Sequence, residues 1–114
     1  MEALENEVKV EIDADQFETA VLSESYNRPV LLYYWAESCP PCVAISPLMD
    51  ELAEEYDGAF LLAKIELDEN MKLAGQLKIS GVPTIIKYEN GEETDRFVGA
   101  LPRSQVSEFI NSSL

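Results

Sequence analysis

Cys39 and Cys42 are the only two cysteines of this chain, separated by Pro40 and Pro41. A Cys-x-x-Cys at the start of a helix places its first thiol beside backbone amides that have no helical partner and at the positive end of the helix dipole. A thiolate is favoured there. It can attack a disulfide in another molecule to form a mixed disulfide, and the second thiol, one turn on, can displace that molecule and close the ring. On this reading Cys39 is the attacking, more exposed thiol and Cys42 the buried resolving one. Spacing alone leaves a structural disulfide or half of a zinc site open. Two cysteines supply only half of a tetrahedral zinc shell, and no second ligand pair is in view, so no metal is expected. The chain has no histidine, which removes Ser-His and Cys-His catalytic pairs and imidazole metal sites.

The pair needs a strand and a helix to hold it. Val30 to Trp35 is apolar or aromatic at every position, as a strand covered on both faces requires. After the cysteines, Val43, Ile45, Leu48, Met49, Leu52 and Ala53 recur at helical spacing, with Pro40 and Pro41 in a first turn that tolerates proline and Pro47 inside the pattern, where a kink is predicted. Upstream, Val8, Val10 and Ile12 alternate as a half-buried strand, and Asp13 or Asp15 can cap a helix carrying Phe17, Ala20, Val21 and Leu22 that gives out between Ser23 and Asn27. Downstream come a buried strand from Phe60 to Leu67, a short helix from Asn70 to Leu77, and a break at Gly81-Val82-Pro83-Thr84. A hairpin follows, turning at Asn90-Gly91 between Ile85 to Tyr88 and Thr94 to Val98, and a last helix carries Val106, Phe109 and Ile110. Strands alternating with helices predict an α/β fold with parallel pairs, the hairpin adding an antiparallel edge: a central mixed sheet of five strands with helices on both faces.

With 114 residues, 46% of them hydrophobic, the chain has room for one domain, residues 1–114. Eight Lys and Arg against 22 Asp and Glu give a formal charge of −14, a field that repels nucleic acid and anionic membranes. The denser patch Asp50, Glu51, Glu54, Glu55 and Asp57 reads as a solvated face. Apolar runs are strand-sized, so no membrane span is expected. The acidic start Met1 to Glu7 lacks the features of a secretory signal, which predicts a protein kept in the cytoplasm. A monomer is the expected state.

Along nearly its whole length the chain resembles the thioredoxin family. The resemblance is carried by Phe17 to Leu22, Trp35-Ala36-Glu37, Ile45 with Pro47, Ala63-Lys64 with Asp68, Gly81-Val82-Pro83-Thr84, Asn90-Gly91 and Val98-Gly99-Ala100-Leu101, in order and at matching spacing. It implies a thioredoxin fold and reduction of disulfides in protein substrates, with electrons supplied by a reductase of the thioredoxin-reductase type and no bound cofactor. It further implies that Cys39 is the nucleophile, Cys42 the resolving thiol and Pro83 a cis-proline facing them. The Val82 backbone would pair with an extended substrate, and Gly99 and Ala100 would line the same groove. Trp35 matches a position packed under the active-site loop.

Four positions depart from the family pattern. Ser38 and Pro40 stand where tryptophan and glycine are usual, which should change the substrates or reductase that fit and the balance between dithiol and disulfide. Val43 replaces a basic residue and leaves the rim more apolar. Tyr33 replaces a buried aspartate that helps move the resolving thiol's proton; a phenol is a poor base at neutral pH, so that proton would rely on water, Lys64 or Glu37, or Tyr33 is a core aromatic only. Two other directions stay open: oxidation or isomerisation of substrates, and a peptide-binding module with idle cysteines. A metal or iron–sulfur cluster bridging two chains through Cys39 and Cys42 is a further alternative.

Overall fold

The computed structural model describes residues 7–114; Met1 to Asn6, which carry most of the acidic N-terminal reading, lie outside the described residues. Five strands form one sheet: β1 (Lys9–Ile12), β2 (Val30–Trp35), β3 (Leu61–Glu66), β4 (Thr84–Glu89) and β5 (Glu92–Val98), in the order β1-β3-β2-β4-β5. β2 lies at the centre because it can be buried on both faces. Val30, Leu32 and Tyr34 enter one core, with Val21 from a helical segment spanning 14–26 and Leu73 and Ala74 from a short helix, α2 (Met71–Gln76). Leu31 and Tyr33 enter the other, against Ile45, Met49 and Leu52 of α1 (Pro40–Glu55) and Val106 and Ile110 of α3 (Arg103–Asn111). The period-two alternation of strand side chains thus feeds two helical layers.

The sheet is mixed, and its antiparallel part begins one strand earlier than the edge hairpin. β1, β3 and β2 run parallel, as the strand–helix alternation predicts, but β4 is antiparallel to β2, pairing Tyr34 with Thr84 and Val30 with Tyr88. A six-residue α2 rises only about 9 Å, against roughly 20 Å for a six-residue strand. That helix does not by itself carry the chain back to the sheet's other end. The hairpin turns as expected at Asn90 and Gly91, whose φ values of 54° and 82° suit the tight two-residue turn.

Two further expectations are refined. The first helical segment is a tight turn at Ala14–Gln16, a wide turn at Phe17–Ser23 and another tight turn at Glu24–Tyr26. Asp13 is its N-cap, with the Gln16 side chain accepting from the Asp13 amide at 3.0 Å. Pro47 sits inside α1 without ending it; the amide it lacks would have faced the Val43 carbonyl on the exposed side of the helix. Among the described residues, no helix is long and apolar enough to cross a membrane.

Candidate redox site

β2 ends at Trp35, three residues turn the chain, and Cys39 becomes the N-cap of α1, with φ −115° and ψ 100°. Pro40 and Pro41 follow as the first two helical residues. Neither has an amide hydrogen, so the first donor of the helix is the Cys42 amide, and it points at Cys39 Sγ from 3.2 Å. Val43 N–H donates to the Cys39 carbonyl at 3.1 Å. The sulfur of Cys39 therefore takes the place of a capping oxygen, in the field of a helix N-terminus, where negative charge is stabilised. Cys39 and Cys42 are joined as a disulfide with their Cα atoms 5.2 Å apart, ordinary spacing for such a bond.

The expected contrast between an exposed and a buried cysteine is narrow in this oxidised state: Cys39 is 7% exposed and Cys42 3%. Cys39 is covered because its side chain folds back over the first turn of α1 and packs with Ala36 and Val82. The pair nevertheless lies just under the surface. Glu37, Ser38, Pro40, Pro41 and Val43 around it are all exposed, Val43 at 66%.

The loop before β4 meets the disulfide from the other side. Val82 packs against the cluster formed by Ala36, Cys39 and Cys42, together with Trp35 and Leu67. The Val82–Pro83 peptide is cis, and Pro83 is buried. Thr84 Oγ1 donates to the Gly81 carbonyl at 2.5 Å, closing the loop, and Gly99 N–H donates to the Pro83 carbonyl at 2.9 Å. Gly99, at φ 94°, has a conformation that a side chain disfavours, and Ala100 beside it is exposed. The motifs at residues 39–42, 81–83 and 99 therefore come together.

Tyr33 and Lys64 lie one layer below. Tyr33 is fully buried and its hydroxyl donates to the Cys42 carbonyl at 3.2 Å. Burial first, and then the charges of Asp50 and Glu11, hold this phenol above its ordinary range against the opposing effect of a hydrogen bond with Ser46. Lys64, its neighbour across the β2–β3 pair, binds Asp50 of α1 at 2.7 Å. Pro47 lines a cleft of about 330 Å³ beside Cys42, along with Tyr33, Trp35, Glu37, Val43 and Ser46.

Two participants were not legible in the sequence. Glu11, on the edge strand, accepts the Trp35 indole N–H at 3.2 Å. Burial raises its carboxyl pKa, partly offset by that hydrogen bond and by Lys64. Asp50, read as part of a solvated acidic face, is instead the partner of Lys64, while Glu51 and Glu55 both bind Arg103 at 2.5 Å. The register pairing Glu11 with Lys64 and Lys64 with Tyr33 puts these side chains in one row, which no local pattern announces. At the end of β3 the Glu66 carboxyl is held above its usual range first by desolvation and then by the charges of Glu37, Asp68, Glu69 and Glu11.

The thioredoxin family model matches residues 8–112. Similar known proteins include a thioredoxin of Acidithiobacillus ferridurans, 40% identical over 103 residues that cover 90% of this chain and 94% of that protein. A thioredoxin of Haemophilus influenzae is 38% identical over 102 residues, covering 90% and 92%. An M-type chloroplastic thioredoxin of Pisum sativum is 40% identical over 105 residues, covering 92% of this chain and 59% of that protein.

Proposed function

The chain belongs to the thioredoxin family and is a thiol–disulfide oxidoreductase of that type with a Cys-x-x-Cys redox pair, and from that premise we propose how its residues divide the work. Reduced Cys39 attacks a disulfide in a protein substrate; the Cys39–substrate bond forms and the substrate's second sulfur leaves as a thiolate. Cys42 then attacks Cys39 Sγ, the ring closes, and the substrate departs reduced by two electrons. A separate reductase returns two electrons to the Cys39–Cys42 disulfide. The observation that carries this assignment is the Cys42 amide on Cys39 Sγ at the N-cap of α1, since a donor held there favours the thiolate of Cys39 over that of Cys42.

The Cys-Pro-Pro-Cys sequence is this chain's own version of the site, and residues 1–114 act as one unit around it. Val82, Pro83, Gly99 and Ala100 form the surface on which an extended substrate lies, with Ser38 and Pro40 on its rim, and Trp35 and Pro41 support the loop. Small rim residues and an exposed Val43 favour partners that present apolar surface next to their disulfide. Transfer in the reducing direction suits a compartment whose thiols are kept reduced, such as the cytoplasm.

The test is a pair of serine variants with a disulfide-bonded protein as substrate. Cys42→Ser should accumulate a mixed disulfide through Cys39, and Cys39→Ser should neither turn over nor trap substrate. Trapping by Cys39→Ser instead would reverse the roles, and undiminished peptide affinity with no turnover in the unmodified protein would favour a binding module. Equilibration with glutathione buffers fixes the direction of transfer.

A further inference from the structure

Resolution of the mixed disulfide, which rests on the reading above, requires Cys42 to lose a proton before its sulfur can attack Cys39. Cys42 is almost fully buried, so the groups around it decide where that proton goes. From β2, Tyr33 lies below, but its hydrogen bond is given to the Cys42 carbonyl and not to the sulfur. It is a donor in this contact. From β3, Lys64 is held by Asp50 of α1 at 2.7 Å. From β1, Glu11 is occupied by the Trp35 indole at 3.2 Å. From the loop before the helix, Glu37 stands on the wall of the cleft that Cys42 also lines, together with Ser46. The cleft, at about 330 Å³, has room for several waters, each of which takes roughly 30 Å³ in the liquid.

We propose that Tyr33 is a positioning residue that anchors the first turn of α1 through the Cys42 carbonyl, and that Cys42 passes its proton directly to water in the adjoining cleft. The Cys42 amide is already committed to Cys39 Sγ, so the phenol's bond to the carbonyl fixes the same peptide-bearing residue from below. Sulfur orientation is thereby set by two backbone contacts, one from the helix cap and one from the central strand. The upward pressure of burial on the phenol keeps it protonated and donating at neutral pH. In the step itself the Cys42 S–H proton goes to water, the Cys42–Cys39 bond forms, the Cys39–substrate bond breaks, and the departing thiolate takes a proton from solvent.

The experiment mixes reduced protein with an aromatic disulfide whose released thiolate absorbs visible light. The first equivalent released reports attack by Cys39, the second reports resolution by Cys42. The second phase is followed across a pH range bracketing the ordinary thiol pKa of about 8.5. In the unmodified protein its rate should rise about tenfold per pH unit until Cys42 itself is ionised. Tyr33→Phe keeps the ring that fills the core, which near-ultraviolet circular dichroism checks. It should lower that rate by the same factor at every pH, roughly two- to tenfold for losing the hydrogen bond to the Cys42 carbonyl. Glu37→Gln should superimpose on the unmodified protein. A changed slope in Tyr33→Phe would mean that the phenol handles the proton, and a superimposed profile would remove the anchoring role. A flattened profile in Glu37→Gln would assign the proton to that carboxylate. Absence of the first phase would count against Cys39 as nucleophile, not against the role of Tyr33.

Discussion

Replacing Thr84 with valine tests whether the loop that carries Val82 and Pro83 is held against the disulfide by one hydrogen bond. Thr84 is 1% exposed and its Oγ1 donates to the Gly81 carbonyl at 2.5 Å. Valine has nearly the same shape and the same β-branching, so no cavity opens and the strand start keeps its preferred rotamer. What is lost is the donor. Gly81 is only half-buried, so its carbonyl can recruit water, and the cost belongs at the low end of the range for a stranded partner, about 1 kcal/mol. For a chain of this size that is a fall in Tm of roughly 3–8 °C. The functional effect should exceed the thermodynamic one, because Val82 packs directly on Ala36, Cys39 and Cys42 and, with substrate lying on the surface proposed above, a loosened loop would present its backbone in more than one position. KM for a protein disulfide should rise several-fold, while reduction of a small aromatic disulfide, which needs Cys39 but no extended contact, stays unchanged. Thr84→Ser retains the hydroxyl and should keep the original KM despite losing a buried methyl. Unchanged Tm and KM in Thr84→Val would refute the reasoning, as would equal losses on the large and small substrates.

Lys87 is buried in β4 with its ammonium donating to the Phe109 carbonyl at 2.5 Å and to Ser112 Oγ at 2.6 Å, and it lies 4.6 Å from the Phe109 ring centroid. Lys87→Met should cost about 1–3 kcal/mol by chemical denaturation, since α3 loses the charge at its C-terminal end. Burial lowers the pKa of Lys87, so between that lowered value and about 10.5 the unfolded chain holds a proton that the folded one has released. Stability relative to Lys87→Met should therefore rise with pH through that window; a pH-independent difference would disprove it. Glu11→Ala should change the emission of Trp35, the sole tryptophan, by removing its indole acceptor, whereas Glu11→Gln, which keeps an acceptor oxygen, should not; identical spectra for all three proteins would exclude the contact. Gly91→Ala should cost about 1–2 kcal/mol at φ 82°, with an added clash because a Cβ there would run into the Tyr26 ring. Tyr26→Ala should relieve only the clash, so a double-mutant cycle that restores full stability would contradict the backbone share of the cost.

What the sequence disclosed was local, and what it withheld was long-range. Six consecutive apolar residues from Val30 to Trp35 read as a strand buried on both faces, and Asn90-Gly91 as a tight hairpin turn. Cys39 and Cys42 at a strand-to-helix junction located the redox pair without coordinates. Lys87 gave no such signal. It lies in a fully buried stretch of β4, and its charge is tolerated only because the carbonyl end of α3, more than twenty residues on, arrives to receive it. Asp50 was likewise indistinguishable from its acidic neighbours until the sheet register brought Lys64 beneath it. The narrow exposure difference between the cysteines follows from packing by Ala36 and Val82, and a distant loop is not visible in the spacing of a motif.

The direction of β4 explains why these pieces make one site. β2 delivers the cysteines from its C-terminal end, and because β4 is antiparallel to it, with Tyr34 opposite Thr84, the residues entering β4 lie at that same end. The β4–β5 pairing of Thr84 with Val98 then brings Gly99 to the same place, where its amide reaches the Pro83 carbonyl. Had β4 run parallel to β2, residues 81–83 would stand a strand length away, roughly 20 Å, and Val82 could not touch the disulfide. The short α2 matters for this reason: six residues reposition the chain sideways without carrying it the length of the sheet. A Cys-x-x-Cys at a helix start is by itself a reactive dithiol. An antiparallel strand that sets a second backbone edge against the same sulfurs is what the proposed exchange of disulfides with extended polypeptide needs.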